Sequence, residues 1–233
     1  MSERISIIVP VYNERATIAR VIDRLLTIAL PAPRESIVVN DGSRDGTREA
    51  LDALAGRSAD LAIVHLDVNR GKGYAVRRGF AQAAGTIVAI QDADLELDPA
   101  QLAGLVAPIL ARETDVVYGS RFLGGRPAAP AVTIAANRAL TWLTNALYGS
   151  ALTDMETCYK IMRTDVARSL RLEADRFDIE PQITARLLRA GHHVTELPVR
   201  FEARTRRQGK KIGWRDGVKA LNVLVAERFR SIG

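Results

Sequence analysis

Short runs of β-branched residues alternate with amphipathic segments through the first 120 residues of the chain. The alternation predicts strands near residues 5–9, 36–40, 61–66, 86–90 and 115–118, with helices near 14–30, 47–54, 71–83 and 102–110. Strands that alternate with helices are typical of an α/β fold, in which crossover helices cover a mostly parallel sheet. The strands are continuously apolar, which agrees with burial on both faces of such a sheet.

The pattern changes after about residue 120. Helices are predicted near 132–149, 178–190 and 214–230, and strands near 158–162 and 194–201. The chain has no internal repeat and no low-complexity segment that would separate two folds. We therefore expect a single domain over residues 1–233, with helices concentrated toward the C-terminus.

An acidic cluster follows the fourth predicted strand. Asp92, Asp94 and Glu96 alternate with other residues soon after Ile87–Ile90. Open α/β sheets bind ligands at the carboxyl ends of their strands. Carboxylate oxygens suit a hard divalent cation that keeps substrate phosphates as further ligands. The cluster predicts a metal–diphosphate site, although a solvated acidic turn would have the same short pattern.

The charge of the chain is uneven. The net charge is +6 and the pI is about 9.8, and residues 204–215 hold six basic residues and no acidic one. Such a run predicts a phosphate-rich partner, unless it is simply a solvated loop. Aromatic residues make up 5% of the chain, which argues against nucleic acid, because single-strand binders interleave stacking residues with their charge.

The sequence favours a cytoplasmic location. The single cysteine, Cys158, excludes an intrachain disulfide framework and fits a reducing compartment. No secretory signal pattern is recognisable, and no apolar run approaches the roughly 18 residues of a spanning helix. The helix near 132–149 and the last helix combine apolar and aromatic residues with Lys and Arg. They suit either a peripheral position at the inner face of a membrane or packing against the core.

Eight motifs, in order along the chain, carry a resemblance to a known family. They are Val9–Glu14, Val39–Thr47, Asn69–Gly73, Asp92–Glu96, Gly119–Phe122, Asp154–Lys160, Phe177–Pro181 and Lys210–Gly217. Together they resemble the GT-A fold glycosyltransferases of family 2, and within them the polyprenyl-phosphate sugar synthases, such as dolichyl-phosphate mannose synthase. The resemblance covers nearly the whole chain. It implies a Rossmann-like fold with a nucleotide-sugar-binding half, residues 1–120, and an acceptor-side half, residues 121–233.

The resemblance implies a donor site at the first four motifs. Its residues would hold the nucleotide and the donor sugar: Pro10, Tyr12, Glu14, Val39, Asp41, Lys72, Asp92, Ala93 and Asp94. Asp94 and Glu96 would bind Mg²⁺ or Mn²⁺ against the diphosphate. Glu14 could instead cap the first turn of a helix, and Gly71-Lys72-Gly73 lacks the spacing of a phosphate loop. Asn40 stands where many relatives have Asp, which leaves the nucleotide base open.

The acceptor side is implied by the later motifs. Arg121 could grip an acceptor phosphate through paired N–H groups, and Arg204 and Lys210 could close over the donor diphosphate. A phosphate monoester is mostly ionised at neutral pH and can attack without a base. A sugar hydroxyl needs a positioned carboxylate, for which Asp178 and Glu180 are the candidates and Asp154 is a third. All three acids could also be structural, so the acceptor stays open.

The leading interpretation is an inverting, metal-dependent glycosyltransferase. It would move a hexose from a UDP- or GDP-hexose to a polyprenyl phosphate, with Asp94, Arg121, Asp178 and Glu180 as candidate catalytic residues. One alternative keeps the fold and the donor but uses a soluble or saccharide hydroxyl acceptor. Another is a module that binds nucleotide sugars or nucleic acid without turnover, and a nucleotidyltransferase that releases pyrophosphate is a weaker rival.

Overall fold

A seven-stranded sheet runs through the centre of the structure, and the computed structural model describes residues 3–125, 127–202 and 214–230. The strands are β1 (Ile5–Val11), β2 (Arg34–Asp41), β3 (Leu61–Leu66), β4 (Ile87–Ile90), β5 (Val116–Ser120), β6 (Lys160–Arg163) and β7 (Thr195–Pro198). Their order across the sheet is β3-β2-β1-β4-β6-β5-β7. Strand β6 is antiparallel to β4 and β5, and the other pairings are parallel. The predicted α/β fold with a mostly parallel sheet is confirmed.

The central strands are buried on both faces. Every side chain of β1 is buried, and so are the last six residues of β2. Strands of this kind read as continuous apolar runs because helices cover both faces of a parallel sheet. One of these helices, α3 (Lys72–Gln82), packs so closely on β1 that a Cβ at Gly79 would overlap Cγ2 of Ile8. Glycine is therefore required where α3 crosses the strand.

The remaining helices follow the predicted order. They are α1 (Ile18–Thr27), α2 (Thr47–Asp52), α4 (Leu102–Leu110), α5 (Ala131–Tyr148), α6 (Thr164–Ser169), α7 (Ile179–Arg189) and α8 (Trp214–Phe229). Helix α1 begins four residues after the predicted start, because Glu14–Thr17 form a turn in which the Glu14 carbonyl accepts from the N–H groups of Thr17 and Ile18. Helix α6 was not predicted, since six residues are too few to establish a helical period.

Helix α8 packs against α5 and α7. Leu224 of α8 is buried with Met155 and Ala185 in a small apolar cluster beside the main core. The buried carboxylate of Glu227 accepts from Arg186 of α7 at 2.7 Å, which fastens the end of α8. The division into a donor half and an acceptor half stays a prediction. None of the helices in the described residues has both the length and the hydropathy that a membrane span needs.

The strand order changes direction beside β1. From β1 the chain proceeds to β2 and then β3 on one side, and it returns to place β4 on the other side. The connections after β1 and β4 therefore diverge at the carboxyl edge of the sheet. Such a switch point leaves a crevice in which open α/β sheets bind ligands.

Candidate active site

A cavity of about 390 Å³ opens at this switch point. The ends of β1 and β2 and the segment that follows β4 contribute to its lining, together with the first turn of α3, residues 176–177 before α7, and α8. Backbone that leaves several parallel strands at one edge brings together side chains that are far apart in the sequence. The cavity is therefore built mainly by the predicted donor-binding half, with a contribution from the C-terminal helix.

All but one of the residues predicted to hold the donor and the metal line this cavity, within the described part of the chain. They are Pro10, Tyr12, Glu14, Asp41, Lys72, Asp92, Ala93, Asp94 and Glu96. The exception is Val39, which lies inside β2 opposite Pro10 with its side chain fully buried. Arg204 and Lys210 lie outside the described residues. The roles assigned to all these residues stay predictions.

Asp41, at the end of β2, organises the loop that follows β3. Its carboxylate accepts hydrogen bonds from Asn69 Nδ2 at 2.6 Å and from the backbone N–H groups of Arg70 at 2.9 Å and Gly71 at 2.7 Å. Burial raises the pKa of Asp41 above its ordinary value, although the two backbone N–H groups act in the opposite direction. Gly71 has a φ of +116°, and a Cβ there would overlap the carbonyl oxygen of Asp175. The loop therefore depends on this glycine to pass beneath residues 174–176.

Lys72, at the start of α3, joins two of the predicted acids. Its Nζ lies 2.7 Å from Asp92 Oδ1 and 2.7 Å from Glu180 Oε1. Burial disfavours the charged amine, but the two carboxylates outweigh this effect and raise the pKa of Lys72 well above its ordinary value. Lys72 thus connects the segment after β4 to the first turn of α7, and its charge is directed at protein carboxylates.

The acidic segment after β4 is held in a fixed shape. Thr17 Oγ1 donates to the carbonyl of Ala93 at 2.9 Å, and the backbone N–H of Glu96 donates to Asp94 Oδ1 at 3.1 Å. Among the described residues, no three His, Cys, Asp or Glu side chains are grouped as a complete metal site. The carboxylates of Asp94 and Glu96 nevertheless fit Mg²⁺ or Mn²⁺, because such a cation commonly takes one or two carboxylates and completes its shell with water and substrate phosphates.

Three predicted acceptor-side residues lie in the described part of the chain but outside the cavity lining: Arg121, Asp178 and Glu180. Arg121, directly after β5, donates from Nε and Nη2 to the two oxygens of Asp154, each at 2.7 Å. Asp154 is fully buried; burial works against the guanidinium, but this partner raises the pKa of Arg121 above its ordinary value. Asp178 accepts from the backbone N–H of Arg176 at 2.9 Å. Glu180 is bound to Lys72 and Asp154 to Arg121. Each candidate base therefore contacts another group of the protein.

The sequence model of the family described as "Glycosyl transferase family 2" matches residues 6–171, which is most of the chain. The chain belongs to this family. The match runs from β1 through α6 and includes every strand that contributes to the cavity. The protein is therefore a member of a glycosyltransferase family.

Two sequence relatives of this glycosyltransferase differ in how much of them it covers. It is 33% identical to the glycosyltransferase AglD of Haloferax volcanii over 205 residues, which are 85% of this chain but 33% of AglD. It is 29% identical to an undecaprenyl-phosphate mannosyltransferase of Micrococcus luteus over 231 residues, which are 94% of this chain and 92% of that protein. The chain thus spans a third of one relative and nearly the whole of the other.

Solved structures establish the same architecture. The glucosyl-3-phosphoglycerate synthase of Mycobacterium tuberculosis, crystallised with Mn²⁺, UDP and glucosyl-3-phosphoglycerate, superposes with a TM-score of 0.75 at 20% identity. The superposition covers 97% of this chain and 80% of that one. At this identity the likeness concerns the fold, and the fold of this glycosyltransferase is GT-A.

Several cavity residues of the glycosyltransferase were not predicted as site residues. Asn69, Phe177 and Asp216 lie within the recognised motifs, but no role was assigned to them; Arg176 and Lys219 lie next to motifs. The motifs could have drawn attention to the first three. Lys219 reaches the cavity because α8 packs beside it, and a tertiary contact of this kind leaves no local pattern in a sequence.

Proposed function

We propose that this glycosyltransferase moves a hexose from a UDP- or GDP-hexose to a polyprenyl phosphate. The observation that carries the proposal is the alignment with an undecaprenyl-phosphate mannosyltransferase over 92% of that protein's length. A further relative, from Rhizobium johnstonii, is a dodecaprenyl-phosphate galacturonate synthase that is 27% identical over 213 residues, 87% of this chain and 60% of that protein. Both names specify a sugar and a polyprenyl phosphate, and their sugars differ, so the identity of the sugar stays open.

The charge of the cavity supports a divalent cation. Six carboxylate and three cationic side chains line the cavity within the described residues. A diphosphate would be repelled by this excess of negative charge unless a cation accompanied it. Mg²⁺ or Mn²⁺ would be held by Asp94 and Glu96, and when bound it would neutralise the leaving diphosphate as a Lewis acid. The glucosyl-3-phosphoglycerate synthase structures hold Mn²⁺ or Mg²⁺ together with UDP.

The remaining cavity residues would bind and orient the donor. Thr17 Oγ1 lies 3.0 Å from Glu14 Oε2 and 2.9 Å from the carbonyl of Ala93, so its single proton is shared between the two oxygens. This contact holds the Glu14 carboxylate where it could accept hydrogen bonds from the donor's hydroxyl groups. Asp92, fixed by Lys72, would accept from the ribose or the donor sugar. Asp41 would contact the nucleotide. Arg204 and Lys210 are proposed from the sequence to close over the diphosphate and exclude water.

A phosphate acceptor does not require a general base from the protein. Its second pKa is about 6, so it is mostly dianionic at neutral pH and attacks without a general base. Asp154 holds Nε and Nη2 of Arg121 and orients the guanidinium, whose Nη1 edge could then bind the acceptor phosphate. In-line attack on an α-linked donor would give a β-linked product.

A hydroxyl acceptor is the second candidate, because the fold is shared with an enzyme crystallised with glucosyl-3-phosphoglycerate. That reaction would require a base, and Asp178 is a candidate within the recognised motifs. Asp178→Asn separates the two reactions. A hydroxyl acceptor predicts a loss of turnover of about a hundredfold or more, whereas a phosphate acceptor predicts a mild effect.

We further propose that α5 and α8 rest on the surface of an anionic membrane. On α8 the side chains Val218, Leu221, Val225 and Phe229 repeat at helical spacing and are all exposed. Trp142 of α5 is 70% exposed. Lys219 of the same α8 lines the cavity, so a helix that contacts lipid would bring the cavity close to a membrane-bound acceptor.

Vesicle flotation tests the membrane surface. We expect Trp142→Ser and Phe229→Ser together to weaken partitioning onto vesicles that contain anionic lipid by about tenfold. Val68→Ser is the matched control, because Val68 is also an exposed apolar residue, at 61%, but lies after β3. Equal losses in the control, or no binding by the wild type, would contradict the proposal.

The reaction itself is tested by product formation. The protein is incubated with UDP- and GDP-sugars and Mg²⁺ or Mn²⁺, with and without polyprenyl phosphate, beside Asp94→Ala and the exposed control Asp67→Ala. Formation of glycolipid that depends on the metal ion and on Asp94 would support the proposal and identify the donor. Donor hydrolysis without glycolipid would move the acceptor to a soluble hydroxyl compound. No turnover of any donor would overturn the proposed reaction.

A further inference from the structure

The carboxylate of Asp41 is nearly saturated by hydrogen bonds from the protein, although Asp41 lines the cavity proposed to hold the donor, hereafter the donor cavity. Oδ2 accepts from Asn69 Nδ2 at 2.6 Å and from the backbone N–H of Gly71 at 2.7 Å, and Oδ1 accepts from the backbone N–H of Arg70 at 2.9 Å. A carboxylate has about four acceptor positions. No other group among the described residues donates to this carboxylate, so one position, on Oδ1, is left for a ligand.

The strand order places Asp41 away from the proposed metal ligands. Asp41 ends β2, whereas Asp94 and Glu96 follow β4, and β1 lies between these two strands. Neighbouring strands are about 4.8 Å apart, so β2 and β4 are separated by about 10 Å. A diphosphate would lie at the metal end of the cavity, because the carboxylate of Asp41 would repel it. The base, which is uncharged, is the part of the nucleotide that suits Asp41.

The bases differ in what they present to a single acceptor. Uracil has one ring N–H, which lies between two carbonyl oxygens. Guanine has a ring N–H and an adjacent amino group, which together can pair with both oxygens of a carboxylate. Cytosine and adenine have an unprotonated ring nitrogen at the corresponding place, and its lone pair would face the carboxylate. One open position therefore matches uracil and leaves the amino group of guanine without a partner, which weakens binding.

We propose that the donor cavity selects a uridine diphosphate sugar over a guanosine diphosphate sugar, because Asp41 offers a single acceptor position to the base. Asn69 is the residue that determines this specificity. Its Nδ2 also donates to the backbone carbonyl of Asp41 at 3.2 Å, so two hydrogen bonds hold the amide against Asp41. Because Asn69 itself lines the cavity, it occupies the position on Oδ2 that the amino group of guanine would need. The inference rests on the proposed function and names the nucleotide of its donor.

The first test compares nucleotides that differ in these groups. Binding of UDP, CDP, GDP and IDP to the protein is measured by calorimetry with Mg²⁺ present. IDP is GDP without the amino group, and we expect it to bind about tenfold or more tightly than GDP. UDP should bind about tenfold or more tightly than GDP, and also than CDP, which has a similar size but no ring N–H.

Three results would overturn the inference. They are GDP that binds as tightly as UDP, IDP that binds no more tightly than GDP, and CDP that binds as tightly as UDP. If neither purine nucleotide binds measurably, the comparison of UDP with CDP decides alone.

Asn69→Ala removes the amide from Oδ2 and opens a second acceptor position on Asp41. The tenfold preference for IDP over GDP should then fall to about twofold or less. Asp67→Ala should keep the wild-type preference, because Asp67 is exposed in the same loop but does not line the cavity. An unchanged preference in a folded Asn69→Ala would contradict the inference. A larger preference for IDP would show that Asn69 itself accepts from the amino group, and would contradict it too. If Asn69→Ala does not fold, the wild-type comparisons decide.

These measurements separate failure of the inference from failure of the proposed reaction, because binding needs neither a polyprenyl phosphate nor turnover. If UDP and IDP are preferred as expected but no glycolipid forms, the selection by Asp41 stands and the proposed reaction does not. If glycolipid forms from a GDP-hexose and not from a UDP-hexose, the reaction stands and the selection does not.

Discussion

Replacing Lys72 by methionine should destabilise the fold strongly. Methionine has a similar length and flexibility, so it should fill the space of the Lys72 side chain with little clash. The change removes the cation that lies 2.7 Å from both Asp92 and Glu180. Both carboxylates would then lose the cation that they share, and that of Glu180 is almost completely buried. The expected loss is therefore electrostatic in origin.

The size of this loss of stability follows from the distances between the charged atoms and from their burial. At an effective dielectric constant of about 20, Coulomb's law gives roughly 6 kcal/mol for each contact at this separation, and desolvation of the three groups offsets most of it. Removing one partner of a buried pair typically costs about 3–5 kcal/mol. The side chain of Asp92 is 26% exposed and can recover some hydration, whereas that of Glu180 is 9% exposed and cannot. We expect a loss of about 3 kcal/mol, or a decrease of about 6–12 °C in Tm for a chain of this size.

Urea and thermal unfolding at pH 7 measure this loss, with Glu180→Gln in the Lys72→Met background as the diagnostic variant. Removing the negative charge of Glu180 in this variant should recover about half of the lost stability. Because the pKa of Lys72 is raised in the folded state, its contribution is complete below the ordinary lysine pKa of about 10.4 and is lost as pH rises through the folded value. A Lys72→Met protein within about 1 kcal/mol of the wild type, or a double variant no more stable than the single one, would refute this reasoning.

Three further predictions address the loop, the metal and the acceptor side. Gly71→Ala should lower the free energy of unfolding by about 2 kcal/mol, measured with urea. The control Gly149→Ala should lower it less, because Gly149 also has a positive φ but has open space where a Cβ would lie. Equal losses in the two variants would show that the contact with Asp175 is not the cause. Asp94→Asn should raise the Mg²⁺ or Mn²⁺ concentration for half-maximal turnover by about tenfold or more, and an unchanged metal titration would exclude Asp94 as a ligand. Asp154→Asn should raise the acceptor KM with little effect on the donor KM, because the Arg121 guanidinium loses its oriented partner; a selective change in donor KM would place Arg121 on the donor side instead.

The sequence was sufficient for the sheet and for most of the helices. The strands of the first half are continuous apolar runs, and burial on both faces makes such runs easy to recognise. Strand β6 was predicted as an element, but its antiparallel direction depends on how the long connection through α5 folds, which no local pattern reports. The start of α1 was misplaced because the turn at Glu14 depends on a carbonyl that a sequence pattern does not specify.

Only part of the candidate site could be predicted from the sequence. The proximity of residues at or after the ends of parallel strands, such as Asp41 and Asp92, could be predicted, since the ends of such strands share one edge of the sheet. The link from Asp92 through Lys72 to Glu180 could not be predicted, because it depends on side-chain contacts and because Lys72 and Glu180 are 108 positions apart in the sequence.

Charged groups at the donor cavity and directly after β5 are held in contacts of opposite sign. Asp92, Lys72 and Glu180 form one paired group, and Arg121 with Asp154 forms another. Burying these charges is costly, and apolar residues of similar volume could often replace them without loss of stability. Natural sequences retain such costly groups chiefly at functional sites.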